Sequence, residues 1–563
     1  MLTLAVAGDV EDTRRGTGAA ALFAVHPVCV NSVARVAELK NTLSLPFFLL
    51  SFLAYVHYEQ LALHPAETNS PNRQRRRATL WFAISLCAFV LSLLSKTTTI
   101  MLPLLLLCYA FWRRGRIVRT DLVHTSPCFL LSLGFGLLSM WYQKNQALVG
   151  ETLPLSNLAE RLAMAGWNFW FYLGKAIAPV HLSVVYFRWK PDVTALTGWL
   201  PDLLVLGIFS LCWCYRRSWG RHLLFTLGCF LIALFPALGL VDAQYLVKFQ
   251  VSDHLQYLPL MVPLVLMAAL LARVAGGAVF RLAWAVLVLT LASYTFQRAQ
   301  VYSTQESLMR DTLAKNPTSW GAHNDLGVIL AERKNYPAAA AHFNASLAAN
   351  ADNENARLNL AQLLIAQGHY DEARHHLELG LAHNPANSQF HEHLADVLTQ
   401  LGQPRAAIVQ LQAALRLETK FHTTTRLALA GLLHATGKYT EAVEQYRAIL
   451  ATKPDLTEPL NNLAWILATC PDDSVRNGRK AVDYAEYACL VTKFKDAHIV
   501  GTLAAAYAEA GRFSEAVITG DFAVNLASAN QDWQLAEIGR QLLSYYRAGK
   551  AWHEPAVFSP AFK

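Results

Sequence analysis

Long apolar runs separated by short polar connectors characterise the chain up to about Phe296, and a different pattern follows. The runs are rich in Leu, Phe, Ala, Val and Trp. A helix needs about 20 residues to cross a bilayer, with a range of about 17–25, so the pattern predicts a bundle of membrane-spanning helices, although the runs 19–30, 42–57 and 98–112 fall short of that range. The apolar runs occupy residues 19–30, 42–57, 78–94, 98–112, 122–142, 197–214, 222–241, 255–275 and 278–295.

Glycines recur at a regular spacing in the second half of the chain. Gly368 and Gly402 are 34 residues apart, and Gly402 and Gly437 are 35 apart. A small alanine, such as Ala373 or Ala407, follows each turn where two helices must approach closely. This period is that of tetratricopeptide repeats (TPRs), in which each repeat is a pair of helices. We place six repeats near residues 320–353, 354–387, 388–421, 422–456, 457–495 and 496–530.

Together the two patterns predict an all-α protein. A polytopic membrane helix bundle over residues 19–296 is followed by a TPR α-solenoid over residues 320–530. Residues 1–18 are predicted to be an N-terminal tail, and 297–319 a linker or first helix. We expect residues 531–563 to form a capping helix and a tail that is disordered from Glu554 onward.

The composition agrees with a membrane half followed by a soluble half. Hydrophobic residues make up 54% of the 563 residues and charged residues 16%, which is apolar for a soluble protein. The net charge of +8 comes largely from arginine clusters between apolar runs, a signal of membrane topology rather than of nucleic-acid binding. Cysteines lie mostly in or beside apolar runs without metal-ligand spacing, so we predict small apolar filler and no metal site.

Basic connectors mark the cytoplasmic side of a multi-pass membrane protein. With all of them inside, and with 160–180 not crossing, the soluble half falls on the outer side. We therefore expect a bacterial inner-membrane protein with its TPR half in the periplasm, which protease accessibility from the outer side would check. The polar segments predicted on that side are 31–41, 95–97, 143–196 and 242–254.

The predicted outer face collects the acids, bases and amphipathic aromatic residues of the first half. Any one of them could be an ordinary solvated loop residue, but charges beside a bilayer are costly and usually have a role. As a set they suggest a site for a phosphorylated, lipid-linked substrate, with a basic side chain on the phosphate and a carboxylate as the base. The residues are His26, Asn31, Arg35, Glu38, Lys40, Lys96, Gln143, Lys144, Glu151, Asp242, Lys248, Asp253, His254 and Tyr257.

Four stretches in this half resemble a known family. They are 20–27 with 38–40, Leu93-Leu94-Ser95-Lys96, Gln143, and Asp253-His254-Leu255-Gln256-Tyr257-Leu258-Pro259. In this order they are similar to motifs of multi-spanning proteins with C-terminal TPRs that are related to the protein O-mannosyltransferases. The resemblance implies a GT-C glycosyltransferase fold, a polyprenyl-phosphate sugar (mannose-like) as donor, no further cofactor, and an acceptor on the outer face.

The resemblance also assigns roles to residues. It implies Glu38 and Asp253 as catalytic carboxylates. Residues implied in substrate binding are His26, Lys40, Lys96, Gln143, His254 and Tyr257.

The sequence departs from the family pattern at several positions. Asn31 stands where members have an acid, Cys29 where they have a second histidine, and Arg35 where they have a tryptophan. His254 replaces an arginine. The family's acidic loop precedes the first matching stretch, and this sequence begins close to that stretch, so we expect a truncated or degenerate member.

Four polar residues of the repeats are predicted to line a protein-binding groove. Asn359, His393, Arg426 and Asn462 each precede a leucine in the first helix of a repeat. An amide at this place can bond a peptide backbone with both a donor and an acceptor. The alternative is a solvated residue, or one bonded within its own repeat.

Two functions from different classes therefore remain open. One is an enzyme that transfers a sugar from a polyprenyl phosphate, with the TPRs binding a protein acceptor. The other is a catalytically inactive, membrane-anchored TPR scaffold that binds a protein or peptide. A transporter is a weaker alternative, because few charges lie within the apolar runs.

Overall fold

The computed structural model describes residues 10–63, 71–147, 157–241, 250–274, 277–417 and 422–555. Over these residues the secondary structure consists of α-helices and short helical turns without a β-strand, so the all-α prediction is confirmed. The chain divides into two compact units, Met1–Ile329 and Leu330–Lys563.

The first unit is built from apolar helices joined by short turns. Its α-helices are Val10–Ala24, Val30–Ala34, Leu39–Leu63, Pro71–Ser95, Leu102–Arg114, Arg119–Tyr142, Leu158–Ile177, Leu196–Cys214, Gly220–Leu234, Met261–Val274, Gly277–Val301 and Gln305–Lys315.

Five helical segments among the described residues are long and apolar enough to cross a membrane. A sixth is added if Thr17–Ala24 and Pro27–Ala34, which are bent by 52°, count as one span. The five segments are Val36–Ala62, Asn72–Ser95, Arg119–Gln146, Leu196–Cys214 and Gly220–Ala237.

Two of the predicted runs are broken at polar residues. Pro27 lacks an N–H and disfavours helical backbone in the residue before it. The first helix accordingly ends at Ala24, and His26 caps a short 3₁₀ turn. The run 98–112 starts inside a 3₁₀ turn, Thr97–Met101, that follows Lys96, and its α-helix begins only at Leu102. These breaks place polar side chains at helix ends, where the backbone leaves the regular hydrogen-bond pattern.

Apolar side chains fill the interior of this unit but also cover much of its surface. Phe89, Leu93, Leu102 and Leu106 form part of a buried cluster. On helix Arg119–Tyr142, by contrast, several leucines are more than half exposed. Contiguous apolar patches of this kind are rare on soluble monomers.

Residues 320–547 form a row of helical pairs followed by one further helix, and the boundary between the two units, after Ile329, falls within the first of these helices. Gly368, Gly402, Gly437 and Gly511 open the turns within pairs with φ between 71° and 79°, a conformation that glycine adopts without strain. Lys334 takes the same place in the first pair with φ 62°. The helices are Trp320–Glu332, Tyr336–Ala349, Glu354–Ala366, Tyr370–His383, Ser388–Gln400, Pro404–Leu417, Thr423–Ala435, Tyr439–Thr452, Thr457–Thr469, Gly478–Val491, Ala497–Glu509, Phe513–Ala529 and Trp533–Arg547.

Alanines form the contact between the helices of each pair. Ala373, Ala407, Ala442, Ala481 and Ala516 are all fully buried. Because a methyl group is small, the second helix of a pair can approach the first closely at these positions.

The predicted disorder from Glu554 is wrong at Glu554 itself. This residue is 6% exposed, and its backbone N–H donates to the carbonyl oxygen of Thr469 at 2.8 Å. A buried carboxylate with protein partners fixes the chain at this point. Residues 556–563 of the predicted tail lie outside the described residues.

Candidate functional site

Polar side chains from separate segments of the first unit meet in a buried cluster. The segments are Val30–Ala34, the 3₁₀ turn Val36–Glu38 with the start of Leu39–Leu63, the turn after Pro71–Ser95, the irregular stretch that contains Tyr186, and the 3₁₀ turn Asp253–Gln256 with its N-cap Ser252. We call this group the polar cluster. Its members are Asn31, Glu38, Asn41, Lys96, Tyr186, Ser252, Asp253 and His254.

Asn41 joins an acid and a base in the first part of the polar cluster. Its amide nitrogen donates to Glu38 Oε2 at 2.8 Å, and its amide oxygen accepts from the ammonium group of Lys96. Glu38 is buried. The arrangement holds a carboxylate and an ammonium group in fixed positions on either side of one amide.

His254 is a neutral member of the polar cluster. Burial, together with the nearby cations Lys96 and Arg35, lowers the pKa of His254 to about 3. The 3.7 Å approach of its Nε2 to Glu38 Oε1 is therefore not an ion pair at neutral pH. Ser252 Oγ lies 2.8 Å from the other ring nitrogen, Nδ1, which helps fix the ring.

Lys96 stays largely protonated at neutral pH. Desolvation lowers the pKa of Lys96 to about 8, and the Glu38 carboxylate opposes this shift. The ammonium group can therefore hold an anion at neutral pH, and it loses its charge in mildly alkaline solution.

Asp253 forms the second part of the polar cluster. It is 1% exposed, and the Tyr186 hydroxyl donates to its Oδ1 at 2.7 Å. Burial raises the pKa of Asp253 to about 6, although the Tyr186 hydrogen bond and the positive charges of Arg298 and Lys175 favour the ionised form. A carboxylate with this pKa is mostly ionised at pH 7 and can still take up a proton, as a general base requires.

Buried polar atoms without a protein partner occur in the polar cluster and in its 3₁₀ turn Asp253–Gln256. Within the described residues, both amide atoms of Gln256 and Oδ1 of Asn31 make no hydrogen bond. Each such atom costs about 1–3 kcal/mol when it is buried unpaired. A polar ligand would supply the missing partners.

The structure brings together four of the residues that sequence comparison assigned to the site. Glu38, Lys96, Asp253 and His254 all belong to the polar cluster. His26 is buried beside it, where its ring nitrogens bond the Ala176 carbonyl at 3.3 Å and the Val28 N–H at 3.4 Å. A histidine with both nitrogens engaged by backbone has a structural role in this state.

The other assigned residues lie in different surroundings. Lys40 is exposed to solvent. Tyr257 packs in an apolar cluster, with its ring 5.2 Å from that of Phe23. Gln143 is the C-cap of helix Arg119–Tyr142. Three further residues of the predicted outer face, Glu151, Asp242 and Lys248, lie outside the described residues.

Sequence reasoning did not identify Asn41, Tyr186 and Arg298. Asn41 lies three residues after Glu38, at helical spacing, and that spacing was the available signal. Tyr186 and Arg298 come from segments far from the matched motifs, so only the folded chain shows their relation to Asp253.

Polar residues on the first helices of the repeats form the second candidate surface. Gln362 donates to His393 Nε2 at 2.8 Å, which links the first helices of two successive repeats. Asn462 donates to the Tyr446 hydroxyl at 3.4 Å, and Asn359 is half-buried.

Arg426 does not occupy the same register as these residues. Its guanidinium donates to Gln445 at 2.9 Å, nineteen residues later, and His391 contacts Gln410 at the same separation. Arg426 is therefore the equivalent of His391, two residues before His393. The leucine that packs in the core of this repeat is the buried Leu429, not the half-buried Leu427 that follows Arg426.

Comparison with known families identifies the repeats. Family models described as tetratricopeptide repeat match residues 330–397, and 305–354 together with 394–456. Residues 320–456 are thus TPRs, as predicted. One match also includes 305–319, which we predicted as a linker or first helix. The matched residues begin after the apolar runs, so the resemblance of the first half to mannosyltransferases stays a prediction. A comparison with curated proteins finds no significant match.

Solved TPR structures are similar to parts of the chain. YrrB, described as a TPR protein with an unusual peptide-binding site, is 20% identical over 33% of this chain and 92% of its own, with a TM-score of 0.30. MamA from Desulfovibrio magneticus RS-1 is 15% identical over 31% of this chain and 96% of its own, with a TM-score of 0.29. Pseudomonas aeruginosa PilF is 22% identical over 37% of this chain and 88% of its own, with a TM-score of 0.29.

Proposed function

We propose that this protein is anchored in a membrane by its apolar helices and binds a protein or peptide through its TPRs. The observation that carries the proposal is the presence of both parts in one chain. Five helical segments of the first unit have the length and composition of membrane spans, and the second contains TPRs. TPR stacks present an extended surface for binding.

Exposed apolar side chains support the membrane part of the proposal. On helix Arg119–Tyr142, Leu130 is 70% exposed and Leu133 is 59% exposed. Contact of these side chains with lipid tails is favourable, whereas their contact with water is not. The helix also carries arginine at its start and aromatic residues, Trp141 and Tyr142, at its end, as expected for the two interfaces of a bilayer.

Selection of peptides from a displayed random library tests the binding function. Full-length protein in detergent is the target, and fluorescence anisotropy measures the selected peptides. We expect the double variant Asn359→Ala, His393→Ala to bind them about thirtyfold more weakly, because two hydrogen bonds to a ligand at about 1 kcal/mol each contribute about 2 kcal/mol together.

Glu378→Ala provides the matched control, because this exposed residue lies on the second helix of a repeat. It should bind the selected peptides like the wild type. If Glu378→Ala weakens binding as much as the double variant, the proposed function is wrong.

A second candidate function is sugar transfer from a polyprenyl phosphate, and the polar cluster favours it. The buried acids Glu38 and Asp253 offer a carboxylate base, and the Lys96 ammonium group offers a cation for the phosphate. Asp253 would act as general base, and Lys96 would bind the phosphate.

Mannose transfer from polyprenyl-phosphate mannose by the protein in proteoliposomes tests this candidate. We expect Asp253→Asn to reduce transfer about 100-fold, and Asp371→Asn, an exposed change in the repeats, to leave it unchanged. A base must be ionised, so wild-type transfer should rise with pH through about 6, the pKa of Asp253. Transfer that survives Asp253→Asn would exclude this residue as the base.

A further inference from the structure

The last described residues of the chain lie across the first helices of three successive repeats. The segment 551–555 has no regular secondary structure. Its side chains and backbone contact helices Thr423–Ala435, Thr457–Thr469 and Ala497–Glu509. First helices line the surface through which TPR stacks receive extended ligands, so the segment occupies the place of a ligand.

Glu554 makes the central contacts. Its carboxylate accepts from the indole N–H of Trp465 at 2.6 Å and lies 3.4 Å from His434 Nε2. Its backbone N–H donates to the Thr469 carbonyl at 2.8 Å. The contacts hold both the backbone and the acidic side chain of a single residue, as a peptide-recognition site does.

Two further contacts flank Glu554 in the segment. The ring of Trp552 lies 5.9 Å from that of Trp465, at an interplanar angle of 41°. His553 Nε2 lies 2.7 Å from Glu509 Oε2. Arg476 contacts the other oxygen of Glu509 at 3.1 Å and so fixes that carboxylate.

These interactions are those of a bound peptide. An aromatic ring packs at a tilt against Trp465, a buried acid receives directed hydrogen bonds, and the backbone makes one bond to a helix end. Trp465 and His434, which recognise the segment, lie on helices that are complete without it. If the segment left, the indole N–H of Trp465 and the carbonyl of Thr469 would be open to another peptide of the same chemistry.

We propose that residues 551–555 are a tethered ligand that occupies the peptide groove of the last three repeats and competes with the partner. The partner peptide carries an aromatic residue two positions before a glutamate, as Trp552 and Glu554 do here. This inference rests on the proposed peptide-binding function. It extends the binding surface tested at Asn359 and His393 along the first helices into the last three repeats, and there it assigns a ligand class and a means of inhibition. Because the helix that precedes the segment ends at Arg547, the tether is short and the local concentration of the segment is high.

A synthetic peptide with the sequence of residues 550–559 provides the test. We measure its binding by fluorescence anisotropy to the full-length protein and to a variant that ends at Gly549, both in detergent. The shortened variant should bind the peptide at least tenfold more tightly than the full-length protein does. Peptides with alanine in place of the tryptophan or the glutamate should bind the shortened variant at least tenfold more weakly.

Point variants keep the test independent of the truncation. Full-length Trp552→Ala and Glu554→Ala should admit the wild-type peptide, whereas Lys550→Ala, immediately before the segment, should behave as the wild type. Circular dichroism verifies that the helical content of each variant is unchanged.

The outcomes separate this inference from the proposed function. If library-selected peptides bind, but binding does not change when residues 550–563 are removed, the segment is a structural cap and the inference is overturned. The same follows if the shortened variant fails to bind the 550–559 peptide, or if full-length protein forms dimers that truncation abolishes. If no peptide binds any form, the proposed function fails.

Discussion

Replacing Arg298 by methionine is expected to destabilise the first unit by about 3 kcal/mol or more. Arg298 is 3% exposed, and its Nη1 lies 2.5 Å from Asp311 Oδ2. Its guanidinium also lies 5.1 Å from the centre of the Tyr302 ring. Removing one partner of a buried pair leaves the other charge uncompensated, which costs about 3–5 kcal/mol. Asp311 keeps Lys315 at 2.6 Å, so we expect the lower part of that range.

Arg310→Met is the matched control for this prediction. Arg310 pairs with Glu306 at 2.8 Å on the neighbouring helix, but its side chain is 57% exposed. An exposed pair of this kind contributes about 0.3–0.5 kcal/mol. Hydrogen–deuterium exchange on peptides from residues 250–315 measures both variants separately from the repeats. Equal loss of protection in the two variants would show that burial does not set the strength of the Arg298 pair.

The repeats could be predicted from sequence because their signal is local. Gly402 and Gly437 mark turns that need a positive φ, and Ala407 and Ala442 mark helix contacts that need a small side chain. The register of helix Thr423–Ala435 was harder to predict from the sequence. Leu427 and Leu429 are equally plausible core residues by type, and only packing shows that Leu429 is the buried one.

The polar cluster could be predicted only in part. Glu38 and Asp253 stood out because acids between apolar runs are unusual. Burial, however, depends on which segments pack together, so the sequence could not distinguish the exposed Lys40 from the buried Glu38 two residues earlier. Nor could it show that Tyr186 would donate to Asp253.

The end of the chain shows the same limit of sequence reasoning. Polar and charged residues near a terminus are typical of disorder. Glu554 is ordered because Trp465 and His434, more than a hundred residues away in the case of His434, supply partners for its carboxylate. The composition of the chain end does not indicate these contacts, because they form only when the repeats have folded.

Replacing Gly380 by alanine is expected to destabilise the repeats by about 2–3 kcal/mol. A Cβ at this position would lie 2.3 Å from Cε1 of Phe390, which is fully buried in the next repeat. Overpacking a close-packed contact of this kind costs about 1–3 kcal/mol. Gly431→Ala is the control, because a Cβ there meets nothing within 4 Å. That change should stabilise by about 0.5–1 kcal/mol, since alanine favours helix over glycine.

The source of the Gly380 effect is testable by a double-mutant cycle with Phe390. The next repeat has a larger residue in one helix and a smaller one in the other. Ala414 stands at the equivalent of Gly380, and Thr425 stands at the equivalent of Phe390. With Phe390→Leu in the background, the smaller side chain leaves room for the new methyl group. Gly380→Ala should then cost at least about 1 kcal/mol less than in the wild type. Thermal unfolding followed by circular dichroism measures the four proteins, and an unchanged cost would mean that the new methyl group meets resistance elsewhere than at Phe390.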